Sequence, residues 1–216
     1  MKKALIVQGG WPGHEPKECA DVVAAWLDAE GCDVTLSGSL DSYRDAGLMS
    51  SLDLIVPMWT MGEISKEQEA GLADAVKSGV GLAGFHGGMC DSFRHSLGYQ
   101  FMTGGQFMAH PGGVIDYTVN ITRPDDPIVA GVQDFQMHSE QYYMHVDPGN
   151  EVLATTTFSG THGDCPWIAG TVMPVVWKRM YGQGRVFYCA CGHVAQELKM
   201  PELKTIITRG CLWAAR

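Results

Sequence analysis

The histidine with the clearest chemical setting, His86, lies in the run Gly84-Phe85-His86-Gly87-Gly88. The preceding apolar run, residues 80–85, has the length of a buried parallel strand. Glycine two places before and two places after a polar residue is the pattern of a nucleophile elbow, in which a tight strand-to-helix turn presents one side chain. Imidazole binds metals and transfers protons near neutral pH, but it does not suit a stable acyl-enzyme. We therefore predict metal or acid/base chemistry at His86.

Two further histidines follow predicted strands in the same way. His14 lies in the turn-rich loop after a strand at 3–8, and His193 follows Gly192 after a buried strand at 185–190. The carboxyl ends of parallel strands share one edge, where ligands collect, so these side chains are predicted to lie near His86. His110, before Pro111-Gly112-Gly113, has a similar but weaker pattern. The alternative for each is an ordinary surface histidine.

The most polar and aromatic run of the chain is residues 137–145, predicted to be part of one strand, 136–144. In a strand, His138, Glu140 and Tyr142 share one face and His145 lies on the other. A His and a Glu at i and i+2 can bind a divalent metal or form an acid/base pair. The alternative is a solvated face of an edge strand, and within the run Glu140 and Tyr142 are favoured over His145.

Two other motifs are set aside. The run Gly79-x-Gly81-x-x-Gly84 matches the dinucleotide fingerprint, but it follows a predicted helix and enters a strand, which is the wrong order for binding a pyrophosphate. No nucleotide cofactor is therefore expected. Cys189-x-Cys191 lacks the second pair that a four-ligand zinc site needs. Cys90, one turn past the elbow, is predicted to be a packing residue.

The order of predicted elements indicates a single α/β domain over residues 1–216. Strands at 3–8, 33–37, 53–59 and 80–85 and helices from Pro16 and Ser65 give the order β-α-β-β-α-β-α, typical of a doubly wound parallel sheet. Residues 104–113 are predicted to be a loop. Strands at 114–121, 136–144, 151–157, 172–180 and 185–190 are predicted to be mostly antiparallel, and Pro201 begins a terminal helix with Leu203, Ile206 and Ile207 on its inner face.

Bulk properties exclude several classes of partner. The formal net charge of −9 argues against binding to nucleic acid or an anionic membrane, both of which need a basic surface. No stretch approaches the roughly 20 apolar residues of a membrane span, and the short N-terminal apolar run does not read as a signal peptide. Seven cysteines without a framework spacing fit a reducing compartment, so a cytoplasmic location is predicted. The oligomeric state is open, and a homo-oligomer is compatible with the sequence.

Several of these motifs together resemble the ThuA-like (trehalose utilisation) family. They are the elbow, the Glu-Gln-Tyr-Tyr run at 140–143, and the stretch from Pro174-Val175-Val176-Trp177 through 181–188 to Gly192-His193. The resemblance implies a class I glutamine amidotransferase-like fold: a flavodoxin-like, doubly wound, mainly parallel sheet with added antiparallel strands. It also implies a role in disaccharide catabolism through keto-sugar intermediates, a pocket set of His14, His86, Glu140 and His193, and in some members a metal ion. Because the elbow cysteine of the amidotransferases is His86 here, glutaminase activity is not expected.

Three functional hypotheses follow. The first is an enzyme acting on a sugar derivative, with a divalent metal such as zinc held by His14, His86, Glu140 and His193. In this hypothesis one of His193, Glu140 and Tyr142 serves as the acid/base, His14 and His110 contact substrate, and Trp11 or Trp59 stacks on a sugar ring. The second is a non-catalytic carbohydrate-sensing or partner-binding module. The third is a hydrolase or amidotransferase that uses Cys90.

Overall fold

Strands and helices alternate through the first half of the chain in the computed structural model, which describes residues 1–216. Helices begin at Pro16 and after Ser65, as predicted, and Ser65 caps its helix through a reciprocal capping box with Gln68. The elements are β1 Lys3–Gly10, α1 Pro16–Ala29, β2 Asp33–Ser37, α2 Ala46–Ser51, β3 Leu54–Thr60, α3 Lys66–Lys77, β4 Gly81–Phe85, α4 His86–Cys90 and α5 Leu97–Thr103.

The second half is mostly strand and ends in one long helix. Leu203, Ile206 and Ile207 of that helix are buried, as its apolar spacing predicts. The elements are β5 Gly105–Ala109, β6 Val114–Ile121, β7 Phe135–Glu140, β8 Tyr143–Val146, β9 Glu151–Thr157, β10 Val172–Tyr181, β11 Gly184–Cys189 and α6 Pro201–Ala214.

A nine-stranded sheet in the order β2-β1-β3-β4-β11-β10-β9-β6-β7 crosses the molecule. Every pair from β2 to β11 is parallel, and every pair from β11 to β7 is antiparallel. The predicted flavodoxin-like, mainly parallel sheet with added antiparallel strands is therefore confirmed. The carboxyl ends of β1, β3, β4 and β11 lie along one edge, where the chain places the residues of chemical interest.

The turn from β4 into α4 has the strained geometry of an elbow. His86 has φ of +46°, in the left-handed region that residues other than glycine seldom adopt. Gly87 must be a glycine, because a Cβ there would lie 2.4 Å from Cε1 of His14. The absence of a side chain at Gly87 therefore lets the ring of His14 lie against the elbow, next to His86.

Three predictions about local structure are wrong. The predicted loop at 104–113 contains β5, which pairs with β8 in a separate two-stranded sheet. The single strand predicted at 136–144 is two strands, β7 and β8, that belong to different sheets and are separated by Gln141 and Tyr142. Residues 40–51, left without a helix in the predicted order, form a 3-10 turn and α2 between β2 and β3. Parallel strands need such a crossover connection, but the sequence of residues 40–51 has no apolar periodicity that predicts a helix.

A continuous cluster of 59 buried apolar residues joins the parallel and antiparallel parts of the sheet. Trp177 of β10 and Tyr188 of β11 are among its largest members, and their ring centroids are 4.4 Å apart. The parallel part of the sheet meets the antiparallel part at these two strands, so the packing of the two rings fixes the position of one part relative to the other. No helix has the length and apolar character needed to cross a membrane.

Candidate metal centre

Four side chains that are distant in sequence meet at the carboxyl edge of the parallel strands. His14 follows β1, His86 follows β4, His193 follows β11, and Glu140 ends β7. Each offers one nitrogen or carboxylate oxygen, and these four atoms all lie within 4.8 Å of one another. Three of the residues are buried and His193 is partly buried, so the group is shielded from solvent.

The proton on the His86 ring is fixed by its surroundings. Nδ1 lies 2.8 Å from the carbonyl oxygen of Ala190, which can only accept a hydrogen bond, so Nδ1 carries the proton. Burial lowers the pKa of His86 to about 4, and the ring is neutral near pH 7. Nε2 therefore presents a lone pair, at 3.2 Å from Oε2 of Glu140. Two acceptors at that distance need a proton or a cation between them.

Glu140 is charged because several nitrogens surround it. Burial opposes its charged form, but the three surrounding imidazoles of His14, His193 and His86 outweigh that effect and hold the pKa of Glu140 well below its usual range. Its Oε2 lies 3.1 Å from Nδ1 of His193 and 3.8 Å from Nε2 of His14. The cluster is therefore built around one buried carboxylate.

His193 is the residue that can supply a proton to this cluster. Its Nδ1 lies 3.3 Å from Nε2 of His86 as well as 3.1 Å from Glu140. The hydrogen bond to Glu140 raises the pKa of His193, although burial opposes it. One proton on Nδ1 of His193, or one cation in its place, therefore satisfies both acceptors.

Comparison with known proteins identifies the family. The family described as "Trehalose utilisation", ThuA, matches residues 3–214, nearly the whole chain. The chain belongs to the ThuA family. Membership confirms the predicted resemblance and supports a carbohydrate-related role for this ThuA protein. None of the curated proteins matches it.

Solved structures agree with the ThuA assignment at the level of the fold. A ThuA-like protein from Bacteroides uniformis aligns with a TM-score of 0.79 at 17% identity, covering 99% of this chain and 91% of that one. A ThuA-like protein from Parabacteroides merdae aligns with a TM-score of 0.76 at 18% identity, covering 99% and 89%. A cytoplasmic protein from Salmonella typhimurium LT2 aligns with a TM-score of 0.71 at 13% identity, covering 99% and 100%.

The donor set in this ThuA chain fits a divalent metal such as zinc. Imidazole nitrogens and a carboxylate oxygen are ordinary zinc ligands, and a set of four is the usual number. Metal-binding histidines typically donate their second ring nitrogen to a fixed acceptor. His86 does so to Ala190, and Nδ1 of His14 lies 2.8 Å from the hydroxyl of Thr60. The facing lone pairs of His86 and Glu140 are the feature that a cation would relieve.

Two carboxylates outside the cluster hold the loop that carries His193. Oε2 of Glu197 accepts the backbone N–H of His193 at 2.9 Å and the hydroxyl of Ser139 at 3.0 Å. Oε2 of Glu15, next to His14, accepts the backbone N–H of Ala195 at 3.0 Å. Glu197 thus joins the loop after β11 to the end of β7, where Glu140 lies. The sequence places Glu197 four residues after His193, but that spacing does not predict the contact with Ser139.

The mouth of the site is aromatic. Tyr142 is buried and its ring stacks on His86 at 4.1 Å, while Phe107 lies 4.6 Å from Tyr142. Trp11 is partly exposed, with its ring 4.8 Å from His14. Nε2 of the exposed His110 lies 3.6 Å from Oε1 of Glu140. Phe107 was missed because the run predicted as a loop is β5, and no signal in the sequence separates the two.

Other candidates lie elsewhere. Trp59 packs on Gly9 and Gly62, and its place on β3 puts it on the opposite face from Thr60, which contacts His14. His138, predicted to share a face with Glu140, is instead exposed and paired with Asp116 at 2.7 Å. The prediction that His138 and Glu140 share one environment is wrong because Glu140 is the last residue of β7, where the chain leaves the strand.

Cys90 does not have the environment of a nucleophile. It is buried, and burial raises the pKa of its thiol well above the usual range. A thiol in that state carries almost no thiolate near neutral pH. The Cys-dependent hypothesis therefore has no support from the structure.

Proposed function

We propose that the chain is a metal-assisted enzyme acting on a sugar or disaccharide derivative, keto-sugars included. His14, His86, Glu140 and His193 would hold a divalent ion such as zinc. The observation that carries the proposal is the 3.2 Å approach of two acceptors, Nε2 of His86 and Oε2 of Glu140, in a buried site. The carbohydrate part rests on membership of the ThuA family.

The residues around the cluster have distinct tasks in this proposal. A divalent ion held by these residues would supply Lewis-acid chemistry toward a substrate carbonyl or water. Of the three residues considered for acid/base chemistry, Glu140 and His193 belong to the ligand set, which leaves Tyr142. Burial raises the pKa of Tyr142 well above its usual range, so it holds its proton and acts as a donor. Its hydroxyl lies beside Gly87, where a Cβ would be 3.0 Å away.

The aromatic mouth suits a sugar ring, which binds through flat apolar faces and hydroxyl groups. Trp11 and Phe107 offer the flat surfaces, and His110, on the Oε1 side of Glu140, offers a polar contact. A small-molecule carbohydrate is therefore the proposed partner. The cytoplasmic location and a homo-oligomer stay predictions.

Metal analysis of the purified protein, with zinc titration of His86→Ala, tests the proposal. We expect about one zinc ion per chain in the wild-type protein and loss of most zinc affinity in the variant, since one ligand is gone. The exposed His145, which lies outside the cluster, provides the matched control, and His145→Ala should bind zinc normally. Unchanged zinc binding and activity in His86→Ala would remove the proposal.

The non-catalytic module predicts a different result with the same samples. Sugars would raise the melting temperature, because a ligand that binds only the folded state stabilises it. No sugar would be turned over, with or without zinc. Turnover that disappears in both His86→Ala and Tyr142→Phe would instead support the enzyme.

A further inference from the structure

A polar cleft opens where β6 and β9 separate. The two strands pair only at Asn120–Thr155 and Ile121–Ala154, after which the ladder stops. The cleft between them has a volume of about 380 Å³, within the range of small-molecule sites. Its lining includes Asp116, Gln141, Thr157, Ser159 and His162.

The side chain of Gln141 lies between β6 and β9 in this cleft, and its hydrogen bonds fix the orientation of its amide. Its NH₂ group donates to the hydroxyl of Thr156 at 2.7 Å and to the carbonyl of Thr157 at 3.4 Å. The Thr156 hydroxyl in turn donates to the carbonyl of Thr118 at 2.8 Å. Because both neighbours of the Gln141 amide accept, its nitrogen must face them and its oxygen must face the other way.

The oxygen of Gln141 is therefore an acceptor without a protein donor. The residue is only 2% exposed and lines the cleft, and its two hydrogen bonds both use the nitrogen. The fully buried side-chain oxygens and nitrogens that lack a partner all lie elsewhere, so the Gln141 oxygen is open to the cleft rather than sealed in the core. The cleft thus offers a fixed acceptor to a donor from outside.

The chemistry of the lining indicates an uncharged, hydroxyl-rich ligand. Thr157 and Ser159 contribute hydroxyls, His162 a ring, and Asp116 the only carboxylate. No lysine or arginine lines the cleft, so a phosphate or carboxylate group would have no counter-charge there. Sugar hydroxyls both donate and accept, which matches the mixture of groups present.

Two connections join this cleft to the histidine–glutamate cluster. Gln141 lies in sequence between Glu140 and Tyr142. His162 packs on Gly112, where an added Cβ would be 2.7 Å from that of His162. Gly112 is two residues from His110, which lies 3.6 Å from Glu140. A group bound in the cleft would therefore lie against the segment 140–142 and next to the segment 110–112, which together form the antiparallel side of the site.

We propose that this cleft binds one sugar unit, with the Gln141 oxygen accepting a hydroxyl of the ligand. The choice of a sugar rests partly on the proposed carbohydrate function, whereas binding itself does not require a metal in the cluster. The cleft is thus a second carbohydrate contact, separate from the four metal-binding candidates.

A titration of the ¹⁵N-labelled protein with trehalose and with glucose, followed by ¹H–¹⁵N NMR, tests the proposal. The side-chain NH₂ signals of Gln141 and the backbone signal of Ser159 should shift and saturate. Thr157→Val, which keeps the side-chain shape but removes a hydroxyl, should weaken that binding by about 2- to 10-fold, the effect of one hydrogen bond. Thr35→Val, on the exposed far edge strand β2, is the control and should bind normally.

The same titration of His86→Ala separates this inference from the proposed function. Saturating shifts at Gln141 that persist in His86→Ala support the cleft, even if zinc binding to the wild-type protein fails. The inference is overturned if neither sugar shifts the Gln141 signals. It is also overturned if shifts are confined to the cluster, or if Thr157→Val and Thr35→Val bind equally.

Discussion

The parallel and antiparallel halves of the sheet contribute different things to the candidate site. The parallel half supplies three imidazoles, those of His14, His86 and His193, each in a segment that follows a strand. The antiparallel half supplies the single buried charge, Glu140, and the stacked ring of Tyr142. The parallel half therefore positions the nitrogen ligands in the turns after its strands, and the antiparallel half contributes the carboxylate.

This difference follows from how each half positions a side chain. The carboxyl ends of parallel strands lie at one edge of the sheet, independent of the connecting loops. His86 is further fixed by its strained φ of +46°. Glu140 reaches the same place only because β7 stops there, Gln141 wedges between β6 and β9, and Ser139 bonds to Glu197. Its position depends on several side-chain contacts rather than on topology.

The largest effect is expected at the residue from the antiparallel half. Glu140→Gln keeps the shape of the side chain but removes the negative charge that three histidines surround. Zinc affinity should fall by at least about 100-fold, the upper end of the loss seen when only an outer-shell partner of a metal ligand is removed. Chelator competition measures it, and Glu18→Gln, on the exposed face of α1, is the matched control.

A small loss in Glu140→Gln, combined with a large loss in His86→Ala, would break the comparison between the halves. It would mean that the parallel half holds the ion by itself and that the carboxylate serves another purpose. Equal losses in Glu140→Gln and Glu18→Gln would remove Glu140 from the metal site altogether.

The same division explains which parts could be predicted from the sequence. The parallel strands, the elbow and the histidines after them were predictable, because period, glycine spacing and strand order carry that information. The break between β7 and β8 was not predictable, because Gln141 and Tyr142 continue the strand-like pattern. Only the hydrogen bond from Gln141 to Thr156 shows that the chain leaves the strand there. Phe107 was missed for a related reason: β5 exists through pairing with β8, which no local pattern encodes.

An intermediate effect is expected where the halves are joined. Glu197→Ala removes the acceptor shared by the His193 backbone and Ser139, so the loop after β11 and the end of β7 lose their link. Zinc affinity should fall about 10- to 100-fold, the range for residues that orient metal ligands. Glu30→Ala, at the exposed end of α1, is the control for loss of a surface carboxylate.

A purely structural role for Glu197 predicts another outcome. In that case Glu197→Ala would lower the melting temperature of the metal-free protein while leaving zinc affinity unchanged in the folded fraction. Ser139→Ala sharpens the result, because it removes only one of the two bonds to Glu197 and should cause a smaller loss of affinity than Glu197→Ala.

The smallest effect is a pH dependence that measures the coupling between the halves. The hydrogen bond to Glu140 raises the pKa of His193, so in the metal-free protein its Nδ1 carries a proton over a wider pH range than a free histidine. That proton must leave before Nδ1 can bind zinc. Below the raised pKa, apparent zinc affinity should therefore increase by about tenfold per pH unit, and above it the dependence should flatten.

Calorimetry in two buffers of different ionisation enthalpy counts the released proton directly. His86, with a pKa of about 4, is already neutral and should release none near pH 7. Glu140→Gln removes the carboxylate that raises the pKa of His193, so in that variant the flattening should move to lower pH. An unchanged profile in Glu140→Gln would show that the two halves titrate independently, since the proton of His193 would then owe nothing to the carboxylate.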